Sequence, residues 1–225
     1  MPVTRALSDP LDADRALDVP YRTPKRFLDA AVAGTLLLLS SPAVLVVGAA
    51  MAVDIVASRR DRGPFLYRER RISKGRVFGL FKFRTLRRDV LAEMEAAGAH
   101  ARLYEADPNN LTWTGRRMLK PWYLDELPQL LNVLRGDISL VGPRPWPPEM
   151  VDGQVDDGQS YRKLIVAGLT GPAQVTKGGG QRYEDLDLEY VRLCRTLGSW
   201  ALLRYDVGIL AETVRVIARG EGLNF

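Results

Sequence analysis

Residues 30–53 read AAVAGTLLLLSSPAVLVVGAAMAV, twenty-four positions without one charge. At a rise of about 1.5 Å per residue, a helix of this length matches the roughly 30 Å hydrocarbon core of a bilayer. Its middle, however, is Ser40-Ser41-Pro42, and a proline inside a helix removes a hydrogen bond and clashes with the preceding turn. A kink or break there leaves two halves of about twelve residues, each about 18 Å long and too short to cross alone. The flanks are basic on both sides, with Arg22, Lys25 and Arg26 before and Arg59, Arg60 and Arg62 after, whereas a spanning helix gathers Lys and Arg on one side. Symmetric flanks favour a re-entrant hairpin, broken at Ser41 and Pro42, narrowly ahead of a kinked span. A buried core helix fits least well. The hydroxyls of Ser40 and Ser41 are placed to satisfy carbonyls that Pro42 frees. Ala50-Met51-Ala52 has the look of a leader cleavage site, but five acids and five bases precede the run and it exceeds a leader's apolar core, so the segment is expected to stay attached.

Outward from this segment, residues 1–21 are polar and punctuated by proline, and are expected to form a mobile tail. Residues 22–58 hold the membrane hairpin and 59–225 a single further domain, since 225 residues leave room for one sizeable core and not for two. The single Cys194 closes no internal disulfide, and the single His100 builds no His-rich metal site, His-based triad or zinc finger. Catalysis is thereby confined to carboxylates, lysines, tyrosines and hydroxyls. Residues 59–90 carry twelve Arg or Lys against Asp61, Glu69 and Asp89; this net +9 leaves −4 for the rest of a chain of net +5. Such a block points to a polyanionic partner: phosphorylated ligands, an anionic lipid bilayer or nucleic acid. It abuts the apolar segment and lacks a reading helix, which disfavours nucleic acid.

The domain reads as α+β and mainly helical. Two runs rich in aromatic and β-branched residues flank Ser73-Lys74-Gly75, a hairpin signal. Helical patterns cover Leu91 to Ala97, Asp125 to Leu134, Glu184 to Leu197 and Ser199 to Ala218. A loop is expected at Asp107-Pro108-Asn109-Asn110 and a short strand at Ile138 to Val141. In the last helix Leu202, Leu203, Ile209, Leu210, Val214 and Ile217 roughly mark one face, expected to pack on the core rather than on a membrane.

The densest candidate for chemistry is Leu124-Asp125-Glu126-Leu127-Pro128-Gln129 and the apolar run after it. Pro128 is tolerated only in a first helical turn, so Asp125 and Glu126 sit at a helix start, where unpaired N–H groups favour ionised carboxylates. Ionised carboxylates attack phosphorus or hold Mg²⁺. Taken alone, the pair reads more simply as a helix cap. Arg144, fixed between Pro143 and Pro145, can grip a phosphate with two hydrogen bonds or pair a core carboxylate. Lys82 and Arg84 either line an anion site or form a solvated basic surface. Asp152, Asp156, Asp157 and the acids Glu184, Asp185, Asp187 and Glu189 are expected to be solvated. Lys177-Gly178-Gly179-Gly180 lacks the strand and hydroxyl of a phosphate loop.

Several stretches together resemble the bacterial sugar transferase family, the monotopic phosphoglycosyl transferases. They are Lys25-Arg26-Phe27-Leu28-Asp29, the Ser41-Pro42 break, Lys82-Phe83-Arg84-Thr85, the continuous run from Leu124 to Pro145, Gly168 to Gln174, Tyr190-Val191-Arg192 and Asp206 to Thr213. The resemblance implies a re-entrant helix hairpin in the bacterial inner membrane, with the catalytic domain on its cytoplasmic face. It implies transfer of a sugar-1-phosphate from a UDP-sugar to polyprenol phosphate with release of UMP, as a first membrane step of glycan assembly. Asp125 is then the nucleophile that forms an aspartyl phosphosugar, and Glu126 the partner acid; both would place Mg²⁺. Lys82, Arg84, Lys120, Gln129, Arg144 and Asp187 fall at substrate-binding positions. Lys120 stands where the family usually carries Arg, and Trp122-Tyr123 replaces the family's smaller residues. With no long extension before residue 22, the chain resembles a minimal catalytic unit. Homo-oligomer formation stays open, and the competing class is a membrane-anchored scaffold that binds anionic lipid without turnover.

Overall fold

The structure is a computed structural model that describes residues 18–99, 101–156, 159–176 and 182–219. Most of the tail, His100, Asp157 and Lys177-Gly178-Gly179-Gly180 lie outside the described residues. The chain divides into two compact units. One comprises residues 1–30, 70–78 and 135–225, and the other residues 31–69 and 79–134.

A single 35-residue helix, α1 (Thr23–Ala57), contains the apolar run, with Pro42 inside it. Ser41 Oγ donates to Leu38 O at 2.7 Å and Ser40 Oγ to Leu37 O at 3.3 Å. Leu38 O is the carbonyl that an N–H at position 42 would have served, so the serine replaces the bond that proline cannot make. The chain does not leave helical geometry at Pro42. The disruption read from the sequence is thus a missing bond inside one helix and not a loop between two. Only 11% of its most apolar 18-residue window is buried, and Leu38, Leu39, Leu45 and Val46 are exposed. That exposure excludes a soluble core helix.

In the first unit, the N-terminal end of α1 is held by buried polar bonds. Lys25 Nζ donates to Asp206 Oδ2 at 2.6 Å and to Val141 O at 3.1 Å, and Asp29 accepts from Ser139 Oγ, Tyr21 Oη and the Leu140 amide. These contacts centre on β3 (Ser139–Val141), which pairs in parallel with β4 (Gly168–Thr170). Helices α8 (Tyr183–Thr196) and α9 (Ser199–Ala218) pack against a one-turn helix, α7 (Pro172–Val175), and α9 also lies on both strands. Two further short helices, α5 (Pro148–Asp156) and α6 (Tyr161–Leu164), complete the unit. The expected apolar face of α9 divides: Leu202 and Val216 are buried, whereas Val214 and Ile217 are exposed together with Trp200.

The hairpin of β1 (Leu66–Ser73) and β2 (Arg76–Phe83) turns on Lys74 and Gly75 alone, both at positive φ (46° and 72°), the twist a two-residue hairpin requires. The second unit then runs through α2 (Arg88–Ala96) and α3 (Ala101–Glu105), joined by a core of Leu86, Val90, Leu91, Met94 and Ala101. A separate cluster sets Val47 and Met51 of α1 against Phe83 and Leu119, with Leu124 and Leu127 packed on it. Those two leucines bracket Asp125 and Glu126, so the second half of α1 supports the turn that carries the acids. The expected helix from Asp125 is shorter: Leu124–Glu126 is a 3₁₀ turn, and α4 (Gln129–Arg135) starts only after Pro128. Pro128 breaks the run because it has no N–H to continue it.

Candidate active site

The site lies in the second unit, where backbone constraints converge on the segment before Asp125. A π-helical turn, Gly115–Leu119, ends at Lys120. It is pressed on Thr85: a Cβ on Gly115 would lie 2.5 Å from Thr85 O, and Thr112 N donates to that same oxygen at 2.8 Å. Tyr123 then adopts a left-handed conformation (φ 54°) that reverses the chain into the 3₁₀ turn. A β-carbon is disfavoured there, and such strain gathers where a side chain must be presented in one direction.

Four charged groups of the sequence reading come together here. Lys120 Nζ lies 3.3 Å from Asp125 Oδ2, and Lys82 Nζ lies 4.0 Å from Glu126 Oε1. Each lysine has a second carboxylate behind it that the sequence reading missed. Lys120 Nζ meets Glu105 Oε2 at 2.8 Å, and Lys82 Nζ meets Glu69 Oε2 at 3.4 Å. Glu105 is itself fixed by Thr85, whose hydroxyl donates to Oε1 at 2.7 Å. Glu105 carries no sequence signal, being fifteen residues from Lys120. Glu69 was accessible in principle, since a two-residue turn at Lys74-Gly75 puts it on the same hairpin face as Lys82.

The Asp125 side chain is only 2% exposed. Burial raises its pKa to about 6, with Glu126 and Glu105 adding to the rise and Lys120 and Lys82 opposing it. The helix-start reading anticipated an easily ionised acid; burial prevails because the 3₁₀ turn is too short to offer a developed dipole. For Lys120, burial works against the ammonium, but Asp125 and Glu105 outweigh it and the net shift is upward.

The remaining implied residues fall differently. Arg84 is fully buried and donates to Pro64 O, Leu86 O and Asp61 O, so its guanidinium holds backbone carbonyls. Gln129 is buried four residues after Asp125, and its Nε2 has no hydrogen-bond partner among the described residues. Arg144 and Asp187 belong to the first unit. The Arg144 carbonyl accepts from Arg162. Asp187, expected among solvated acids, is 1% exposed and is met by Arg162 Nη2 at 2.7 Å and Tyr161 Oη at 3.0 Å. Cys194 is buried, and burial lifts its thiol to about 11, which leaves it unreactive.

No group of three or more His, Cys, Asp or Glu is arranged to hold a metal among the described residues. The adjacent carboxylates of Asp125 and Glu126 nonetheless suit Mg²⁺, which takes one or two protein carboxylates and completes its octahedron with water and substrate phosphate.

Comparison with known proteins places the chain in a family. Residues 20–220 match the bacterial sugar transferase family. The chain is 32% identical over 212 residues to the undecaprenyl-phosphate galactose phosphotransferase of Salmonella typhimurium, covering 88% of this chain and 41% of that one. It is 35% identical over 201 residues to the UDP-glucose:undecaprenyl-phosphate glucose-1-phosphate transferase of Caulobacter vibrioides, covering 84% and 68%. It is 33% identical over 202 residues to the uncharacterized sugar transferase EpsL of Bacillus subtilis, covering 88% and 89%. The chain therefore spans less than half of the Salmonella protein and nearly the whole of the Bacillus one. With the match running through both compact units and across every residue of the acidic site, the chain belongs to the bacterial sugar transferase family.

Proposed function

We propose that the chain transfers a sugar-1-phosphate from a UDP-sugar to polyprenol phosphate at the cytoplasmic face of the inner membrane. The observation that carries this reading is Asp125, a buried carboxylate with a pKa near 6, beside a second acid and two lysines. Two relatives are named for transfer to undecaprenyl phosphate, one of them from UDP-glucose.

Asp125 is the nucleophile. A carboxylate whose pKa lies near 6 is ionised at neutral pH and a better electron-pair donor than an ordinary aspartate. An oxygen of Asp125 attacks the β-phosphorus, the bond from that phosphorus to the bridging oxygen breaks, and UMP departs with the bonding pair. The sugar phosphate is left on Asp125. An oxygen of polyprenol phosphate then attacks the same phosphorus and restores the carboxylate. Splitting the reaction lets a water-soluble and a lipid substrate use one site in turn. Lys82 and Lys120 balance phosphate charge, and the unpartnered amide of Gln129 is available to donate to a phosphate oxygen. Asp125 and Glu126 would hold Mg²⁺, which supplies neutralisation of the diphosphate when bound.

The membrane arrangement follows from α1. Both ends are bonded into folded protein: Lys25 to Asp206 in the first unit, and Asp54, which accepts from the Thr114 amide at 2.9 Å, in the second. Between them the helix presents exposed leucines and valines. This pattern supports a helix whose middle lies in the bilayer, and the re-entrant course proposed for it rests on the basic residues that flank both ends.

The test is trapping. Protein incubated with UDP-sugar and no acceptor should gain the mass of one phosphosugar on Asp125, and Asp125→Asn should lose both adduct and UMP release. An active enzyme that never forms the adduct would point to direct attack by the lipid phosphate.

A further inference from the structure

The site holds two lysines, and each stands between an acid of the Asp125-Glu126 pair and an acid outside it. Lys120 lies 2.8 Å from Glu105 and 3.3 Å from Asp125, whereas Lys82 lies 3.4 Å from Glu69 and 4.0 Å from Glu126. In both cases the outer acid is the nearer. The outer acids are also well enclosed, with side chains 14% and 7% exposed. Both oxygens of Glu105 are engaged, Oε1 by the Thr85 hydroxyl and Oε2 by Lys120. Thr85 is anchored in turn, since its carbonyl accepts the Thr112 amide. Glu105 therefore cannot follow Lys120 if the lysine moves toward a ligand.

We propose that Glu105 and Glu69 are positioning residues that draw Lys120 and Lys82 off the catalytic carboxylates and hold them at fixed stations as phosphate contacts for the donor. The proposal rests on the phosphotransfer reading above. Without an outer acid, a lysine has one carboxylate left to pair with, the one that must stay open for attack or for the metal. It would collapse onto Asp125 or Glu126, and the donor's diphosphate would have to compete with that ion pair. With the outer acid in place, the ammonium sits between two anions, and a phosphate oxygen can replace the inner one without leaving the lysine unpaired. The arrangement also suits the lysine at position 120. An ammonium is a compact point charge, whereas a guanidinium supplies its own planar fork and depends less on an external anchor.

The experiment is a double-mutant cycle on the full chain in lipid nanodiscs, using a UDP-sugar the parent consumes. Glu105→Gln keeps the shape of the side chain and its hydrogen bond with Thr85 but loses the charge. Its kcat/KM for donor should fall about tenfold, the scale of one charge-assisted hydrogen bond, mainly through KM. Lys120→Met should fall at least as far, and the double variant should be no worse than Lys120→Met, because the acid acts only through that lysine. Equilibrium binding of UDP should weaken in the same pattern, a readout independent of turnover. Glu69→Gln and Lys82→Met should form a second such cycle, additive with the first. Losses that add within a pair, or a Glu105→Gln defect that merely follows a lowered melting temperature with UDP affinity intact, would overturn the proposal. A parent that releases no UMP from any UDP-sugar would instead overturn the underlying functional reading.

Discussion

Asp125 is held in a state that is useful for chemistry and costly for stability. Its folded pKa is about 6 against an ordinary value of 3.8. The folded protein therefore binds more protons than the unfolded chain between those values, and stability falls as pH rises through the window. The cost is fully present above pH 6 and is of order 2–3 kcal/mol at about 1.4 kcal/mol per unit. Asp125→Asn should consequently be inactive yet at least as stable as the parent at pH 7.5, measured by thermal unfolding, with the difference closing toward pH 4. The same titration predicts that kcat/KM for UMP release falls off below about pH 6, because the protonated acid is no nucleophile. Tyr123 is the second strained position. Its left-handed backbone costs a β-carbon residue about 1 kcal/mol, so Tyr123→Gly should raise the denaturant midpoint, although the more flexible turn should lower kcat.

At the scale of elements, what the sequence reveals depends on whether the deciding signal is local. The acidic turn was legible only in part: Pro128 marked a boundary, but the acids lie in a separate 3₁₀ turn and α4 starts after the proline rather than at Asp125. The role of Ser41 was legible because hydroxyl and orphaned carbonyl lie three residues apart. The parallel pairing of β3 with β4 was not, because three-residue strands carry no periodicity and their partner is nearly thirty residues away. The backbone bonding of Arg84 was hidden for a different reason. In a stretch of twelve basic residues nothing local separates the one whose donors are taken by backbone carbonyls from those that face outward. Glu105 was invisible because its meaning is its distance to Lys120. The Ser41 bond yields its own test. Ser41→Ala should leave Leu38 O unpaired at the apolar middle of α1, at a cost of about 1–2 kcal/mol. The variant should show reduced thermal stability in nanodiscs, whereas Pro42→Ala, which restores the backbone donor, should make Ser41→Ala neutral.

For the molecule as a whole, the decisive feature is that α1 is bonded to protein at both ends. Beyond Ala57 the described residues contain no other helix long and apolar enough to cross a membrane. These residues include Asp206 and Ser139, which hold Lys25 and Asp29 at the start of α1, and Thr114, which holds Asp54 near its end. Breaking a buried ion pair such as Lys25 with Asp206 costs about 3–5 kcal/mol when one charge is left unpaired, so Lys25→Met should destabilise the protein strongly. The topology itself is read by labelling. In a Cys194→Ala background, Arg22→Cys and Arg60→Cys should both react with an impermeant maleimide added to inverted inner-membrane vesicles, and neither should react in intact spheroplasts. Reaction of one from each side would establish a span.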